Sequence, residues 1–158
     1  MKLGLVVCGK LKPGPTSDLV DDYLFRAKRL GRNLGISDIY CREITLRNGA
    51  TKSQTSEQAL GAVPAAAKKV ILDETGKNLS SEQFAKQLNS WREQGVPEIT
   101  LLVGPADGWD EKARKSADIV LSFGKMTWPH KLAQVMAAEQ IYRALSLSSG
   151  SPYHRGND

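Results

Sequence analysis

The stretch LSFGKMTWPHKL, residues 121–132, starts as a buried strand and ends by opening a helix. Between the two lie Gly124, Lys125, Thr127, Trp128, Pro129 and His130, too varied a set for an ordinary turn. The glycine permits backbone that other residues resist, and the proline fixes φ on the way into the helix. The apolar run Ile119–Ser122 reads as a strand, and the spacing after Pro129 predicts a helix from Lys131 to about Leu147. A strand, a loop and a helix in that order form one unit of a parallel α/β sheet. Two further strands end in unusual loops: Lys69–Leu72 in LDETGK at 72–77, and Ile99–Val103 in VGPADG at 103–108. In open parallel sheets ligands lie beyond the carboxyl ends of the strands, so three such loops point to one site.

The rest of the chain repeats the alternation. Leu3–Cys8 is a strand. After a Gly/Pro-rich loop (Gly9 to Pro15), Thr16 or Ser17 can cap a helix to about Asn33, ended by Gly35. Ile39–Leu46 is the next strand. Residues 47–55 read as a polar loop, followed by a short alanine-rich helix. Ser80 with Gln83 is a capping box for a helix over 81–94, stopped by Gly95, and a short helix spans Asp110–Ser116. The expected architecture is a single α/β domain over residues 1–158, a mainly parallel sheet flanked by helices.

At 41% apolar and 25% charged residues, the composition is that of a soluble globular domain. No apolar run approaches the roughly 20 residues that span a bilayer. The opening MKLGLVVCGK is too short and too quickly polar for a signal peptide, so a cytoplasmic protein without membrane contact is expected. Cys8 and Cys41 stand alone in apolar runs and read as buried thiols, and no His, Cys or carboxylate cluster suggests a metal. The net charge of +5 favours polyanionic partners such as nucleic acid.

Gly104 and Gly108 allow close approach of a ligand to the backbone. The glycine patterns of dinucleotide folds and phosphate loops are both missing. Gly124 to Trp128 offer main-chain polar groups beside apolar walls, which suits an adenine-bearing ligand; equally, Met126 and Trp128 could plug the core under the last helix. Glu139 and Arg143, four apart with the acid first, form either a surface ion pair or part of a functional face with Tyr142. Arg26, Lys28, Arg29 and Arg32 make a basic cluster on the first helix, a solvated face or an RNA contact. His130, after Pro129, reads as a cap or packing residue. Leu132, Val135, Met136, Ile141 and Leu145 cover more than one face of the last helix, as in a helix buried on two sides.

Taken together, LDETGK, LLVGPADGW, LSFGKMTWPHKLAQVMAAEQIYRA and the terminal SPYHR resemble the RlmH family of SPOUT ribosomal large subunit methyltransferases, and the resemblance covers the whole chain. It implies a SPOUT-type α/β knot, with the C-terminal segment threaded as a trefoil. It also implies an S-adenosylmethionine pocket built from Leu72, Gly104, Phe123, Gly124, Lys125, Met126, Thr127 and Trp128. The implied reaction is methylation of N3 of pseudouridine 1915 in 23S rRNA of the assembled ribosome, by a homodimer that packs the last helices together. The catalytic candidates are His154, Arg143, Tyr153 and Glu139. His154 would assist deprotonation or orient the base, while Arg143 and Arg155 hold phosphate or the uracil carbonyls. Arg155, Arg26, Arg29 and Arg32 are the RNA-binding candidates.

One departure stands out. Where the family reads Gly-Gly-Pro-Glu-Gly, this chain has Gly104-Pro105-Ala106-Asp107-Gly108, and Pro105 removes a backbone donor. An inactive SPOUT-fold module that binds ribosome or RNA is the competing reading. Methyltransferases of the same fold that act on tRNA commonly carry RNA-binding extensions, which this chain lacks.

Overall fold

The structure, a computed structural model, describes residues 1–151 and 153. Five strands, β1 (Lys2–Cys8), β2 (Asp38–Ile44), β3 (Lys68–Asn78), β4 (Glu98–Val103) and β5 (Ile119–Ser122), form one sheet in the order β2-β1-β4-β3-β5. Every pairing is parallel. Five helices intervene: α1 (Pro15–Asn33), α2 (Lys52–Gly61), α3 (Ser81–Glu93), α4 (Glu111–Ser116) and α5 (His130–Ser149).

Alternation along the strands sorts their side chains into two cores. Leu3, Leu5 and Val7 of β1 and Ile99, Leu101 and Val103 of β4 point to the face covered by α1, α3 and α5. Val6, Cys8, Ile71 and Leu102 point to the other face, with Ala59 of α2 and Ala113 of α4. Helices on both faces bury β1 and β4 from both sides, which is why these two strands read as largely apolar runs.

Three elements depart from expectation. The helix after β2 starts at Lys52, inside the segment read as a loop, and the alanine-rich residues follow it as a turn. The cause is local: the Thr51 hydroxyl accepts from the Gln54 N–H while the Gln54 side chain accepts from the Thr51 N–H. Next, α1 begins at Pro15, ahead of the expected cap. Proline suits a first helical position, where its missing N–H is not needed, and Ser17 instead folds back onto the Gly14 N–H at 3.0 Å. Last, β3 does not end at Leu72. Leu72 and Lys77 both pair with Leu121, so the residues between them bulge out of the ladder before pairing resumes. Gly76, inside that bulge, lies directly on β5: a Cβ there would sit 2.7 Å from backbone atoms of Val120 and Leu121.

Candidate functional site

The helices after β3 and β4 lie on opposite faces of the sheet, so the two connections part at the carboxyl ends of these neighbouring strands. That divergence opens a crevice. A cleft of about 420 Å³ occupies it, within the range of small-molecule sites. All three unusual bends supply its walls: Leu72–Thr75, Val103–Trp109, and Leu121–Gly124 with Met126–Trp128. His130 and Ala133 close it from α5, and Lys52 and Arg114 reach it from α2 and α4.

The bends are fastened to one another. Trp109, buried against Gly104, donates its Nε1–H to the Leu72 carbonyl at 2.9 Å, linking the bend after β4 to that in β3. A Cβ on Gly104 would lie 2.5 Å from the Trp109 ring, so only glycine fits. Asp73 accepts from the Thr75 N–H and hydroxyl and faces Arg114 at 3.5 Å, while Arg114 donates to the Trp109 carbonyl at 2.7 Å. Burial alone would raise the Asp73 pKa, but the Thr75 and Arg114 contacts outweigh it and hold the carboxyl below its ordinary value. In the third bend the Ser122 hydroxyl accepts from the Gly124 N–H and donates to its carbonyl, a clasp that requires the positive φ of 112° at Gly124. His130 Nε2 lies 2.8 Å from the Cys8 carbonyl, which requires its proton on Nε2 and pins the start of α5 to the end of β1. Pro105 does not distort its bend, since its carbonyl accepts from the Gly108 N–H at 2.9 Å in a regular turn.

A second cluster lies on α5. Its inner face carries Gln134, Ala137, Ala138, Ile141, Ala144 and Leu145, whereas Leu132, Val135, Met136, Glu139 and Arg143 form a stripe along the opposite, more open side. Glu139 Oε1 accepts from Arg143 at 2.6 and 2.7 Å and from the Tyr153 hydroxyl at 3.2 Å, and Oε2 accepts from Gln140. Tyr153 packs against Tyr142 in a tilted ring contact, centroids 4.6 Å apart. Burial, the neighbouring Tyr23 and the Glu139 carboxylate push its hydroxyl well above the ordinary range, so it stays protonated. None of Glu139, Arg143 and Tyr153 lines the cleft. Along the helix Glu139 is about 9 Å and Arg143 about 15 Å beyond Ala133, from the rise per residue.

A family profile described as "Predicted SPOUT methyltransferase" matches residues 1–154. The chain belongs to the SPOUT methyltransferase family. It is 46% identical over 155 residues to Ribosomal RNA large subunit methyltransferase H of Dinoroseobacter shibae, covering 98% of this chain and 99% of that protein. Proteins of the same name from Ruegeria pomeroyi and Maricaulis maris are 43% and 42% identical over the same shares of both chains. A Legionella pneumophila protein solved with SAM bound superposes with a TM-score of 0.45 at 14% identity, over 94% of this chain and 66% of that one, a likeness too slight to carry weight.

Of the residues expected from the SPOUT resemblance, Leu72, Gly104, Phe123, Gly124, Met126, Thr127 and Trp128 come together in the cleft, and Lys125 does not line it. Met126 and Trp128 are among the exposed large apolar residues, so neither plugs the core. Arg29 and Arg32 are exposed on α1, but Arg26 is drawn in among aromatic rings. His154 and Arg155 lie outside the described residues. Lys52, Asp73, Trp109 and Arg114 were not anticipated. The Thr51–Gln54 capping box could have placed Lys52 at a helix start and Asp73 falls within the LDETGK bend, whereas nothing local marks Trp109 and Arg114.

Proposed function

We propose that the protein transfers a methyl group from S-adenosylmethionine to N3 of a pseudouridine in large-subunit ribosomal RNA, pseudouridine 1915 of 23S rRNA in the assembled ribosome. One observation carries this reading: three bends converge on a single cleft in a chain 42–46% identical to proteins named Ribosomal RNA large subunit methyltransferase H.

The cleft suits the cofactor. Phe123, Met126 and Trp128 offer apolar surface for an adenine, and glycine at 104 and 124 keeps the main chain open to close approach. Asp73, Glu74 and Asp107 set three carboxylates against the cations of Lys52 and Arg114 around the cleft, a balance that favours a cationic ligand. When bound, the cofactor supplies a methyl group activated by a positive sulfur. The protein's tasks are then alignment of the acceptor nitrogen and removal of the N3 imide proton. Glu139 has its acceptors engaged by Arg143, Gln140 and Tyr153, and Tyr153 holds its proton. Of the four catalytic candidates, His154 is therefore the proton acceptor in this reading. Arg143 orients the base, and Arg155 with Arg29 and Arg32 meets phosphate.

The separation of the α5 cluster from the cleft supports a homodimer. The stripe of Leu132, Val135 and Met136 is the face a partner helix would cover, and the same stripe carries Glu139 and Arg143 to the partner's cleft. The trefoil knot belongs to this reading too, as part of what membership in the SPOUT family implies.

The test is mass mapping of the pseudouridine-bearing rRNA loop after ribosomes are incubated with the protein and labelled cofactor. One added methyl on that nucleotide is the expected result; an unmodified loop overturns the proposal. H154A is expected to lose methylation while keeping the cofactor Kd measured by calorimetry. Failure of the wild-type protein to bind the cofactor at all would favour the inactive module instead.

A further inference from the structure

Arg26 is built into the fold in a way that an RNA contact does not need. Its guanidinium carbon lies 4.7 Å from the centre of the Tyr23 ring, 4.8 Å from that of Tyr142 and 5.8 Å from that of Tyr153. Asp22, one helical turn back on α1, pairs with its Nη2 at 2.7 Å. Its Nε is buried without a hydrogen-bond partner among the described residues. The guanidinium thus lies against aromatic rings as well as against its ion-pair partner, an arrangement that suits a planar, weakly hydrated arginine better than a compact, strongly hydrated lysine.

The three rings come from different places. Tyr23 belongs to α1, Tyr142 to α5, and Tyr153 lies in the segment after α5. Tyr23 and Tyr142 are 6.1 Å apart and Tyr142 and Tyr153 4.6 Å apart, both pairs tilted, so Arg26 closes an aromatic cluster that joins α1, α5 and the segment after α5. Arg143 lies against Tyr153 as well, at 4.8 Å, with Glu139 bonded to both. Tyr153 is therefore gripped by two arginines, one aromatic ring and one carboxylate. The next residues in the chain are His154 and Arg155.

We propose that Arg26 is a positioning residue: it clamps Tyr153 and thereby fixes the point from which His154 and Arg155 reach the acceptor base. This rests on the proposed function, in which those two residues serve the acceptor. It replaces the expectation that Arg26 touches RNA. An alignment error of an ångström can cost about a hundred-fold in rate. A clamp on the tail should therefore appear in kcat rather than in ribosome affinity.

The experiment compares wild type, R26K and R26A in steady-state methylation of ribosomes, with cofactor Kd and thermal melting recorded on each. The expected result is a fall in kcat on the order of ten-fold for both variants, with ribosome KM and cofactor Kd within about two-fold of wild type. R26K keeps the charge but loses the broad, forked guanidinium that reaches several rings and Asp22 at once, so it should be impaired as R26A is. Rescue by R26K, or a rise in KM at unchanged kcat, identifies Arg26 as a charge contact to RNA and overturns the clamp. Full activity of R26A overturns it as well. If R26A melts at too low a temperature to assay, R26K alone decides between these outcomes. A wild-type protein that does not methylate ribosomes would instead overturn the proposed function.

Discussion

Among single residues, Asp73 shows how the cleft is kept in shape. Its side chain is only 7% exposed, and it holds the β3 bulge through Thr75 while facing Arg114. Its folded pKa is depressed, so its stabilising contribution is complete above the ordinary aspartate value near ~4 and is lost as pH falls through the folded value. D73N should accordingly unfold at lower urea than wild type at pH 7, by about 1–2 kcal/mol. That gap should narrow in acid once the wild-type carboxylate takes up a proton. Urea unfolding of both proteins at neutral pH and near pH 3 checks this, and a gap independent of pH would refute it. The cysteines are quiet by contrast. Burial pushes Cys8 up to about 11 and Cys41 up to about 12, so neither is a thiolate at neutral pH.

At the scale of elements, the instructive case is the close contact of the β3 bulge with β5. Gly76 is needed there because two backbones touch, not because its φ is unusual. G76A should cost about 2 kcal/mol, the price of forcing a methyl into a packed contact, and should lower cofactor affinity by displacing Leu72 and Asp73. Chemical denaturation and calorimetry on G76A read both effects, and a variant as stable as wild type would show that the segments part easily. Such a contact is invisible to periodicity, because it depends on residues more than forty positions apart. The same limit explains what could and could not be read in the chain. The strands and the helices α1, α3 and α5 carry apolar patterns or caps strong enough to announce themselves. α2 is polar almost throughout, so only its capping box betrays it. The bends at 103–108 and 122–128 were legible as a ligand cradle because glycine and proline punctuate them. The tie from Trp109 to Leu72 was not, since its two ends meet only when β3 and β4 lie side by side.

For the molecule as a whole, the open stripe of α5 matters most. If a second copy covers Leu132, Val135 and Met136, then L132D should yield a monomer by sedimentation that still binds cofactor but no longer methylates ribosomes. A wild-type protein that sediments as a monomer while fully active would refute the shared site. The sheet order has a further effect, on synthesis. β1 is the first strand made, yet β4, which starts at Glu98, is its neighbour on one side. Until that residue has left the exit tunnel, a largely apolar strand presents one unpaired ladder edge, the kind of edge that recruits other chains. Gene fragments cut before that point are expected to be poorly soluble, and the growing polypeptide to depend on holding chaperones over its first two thirds.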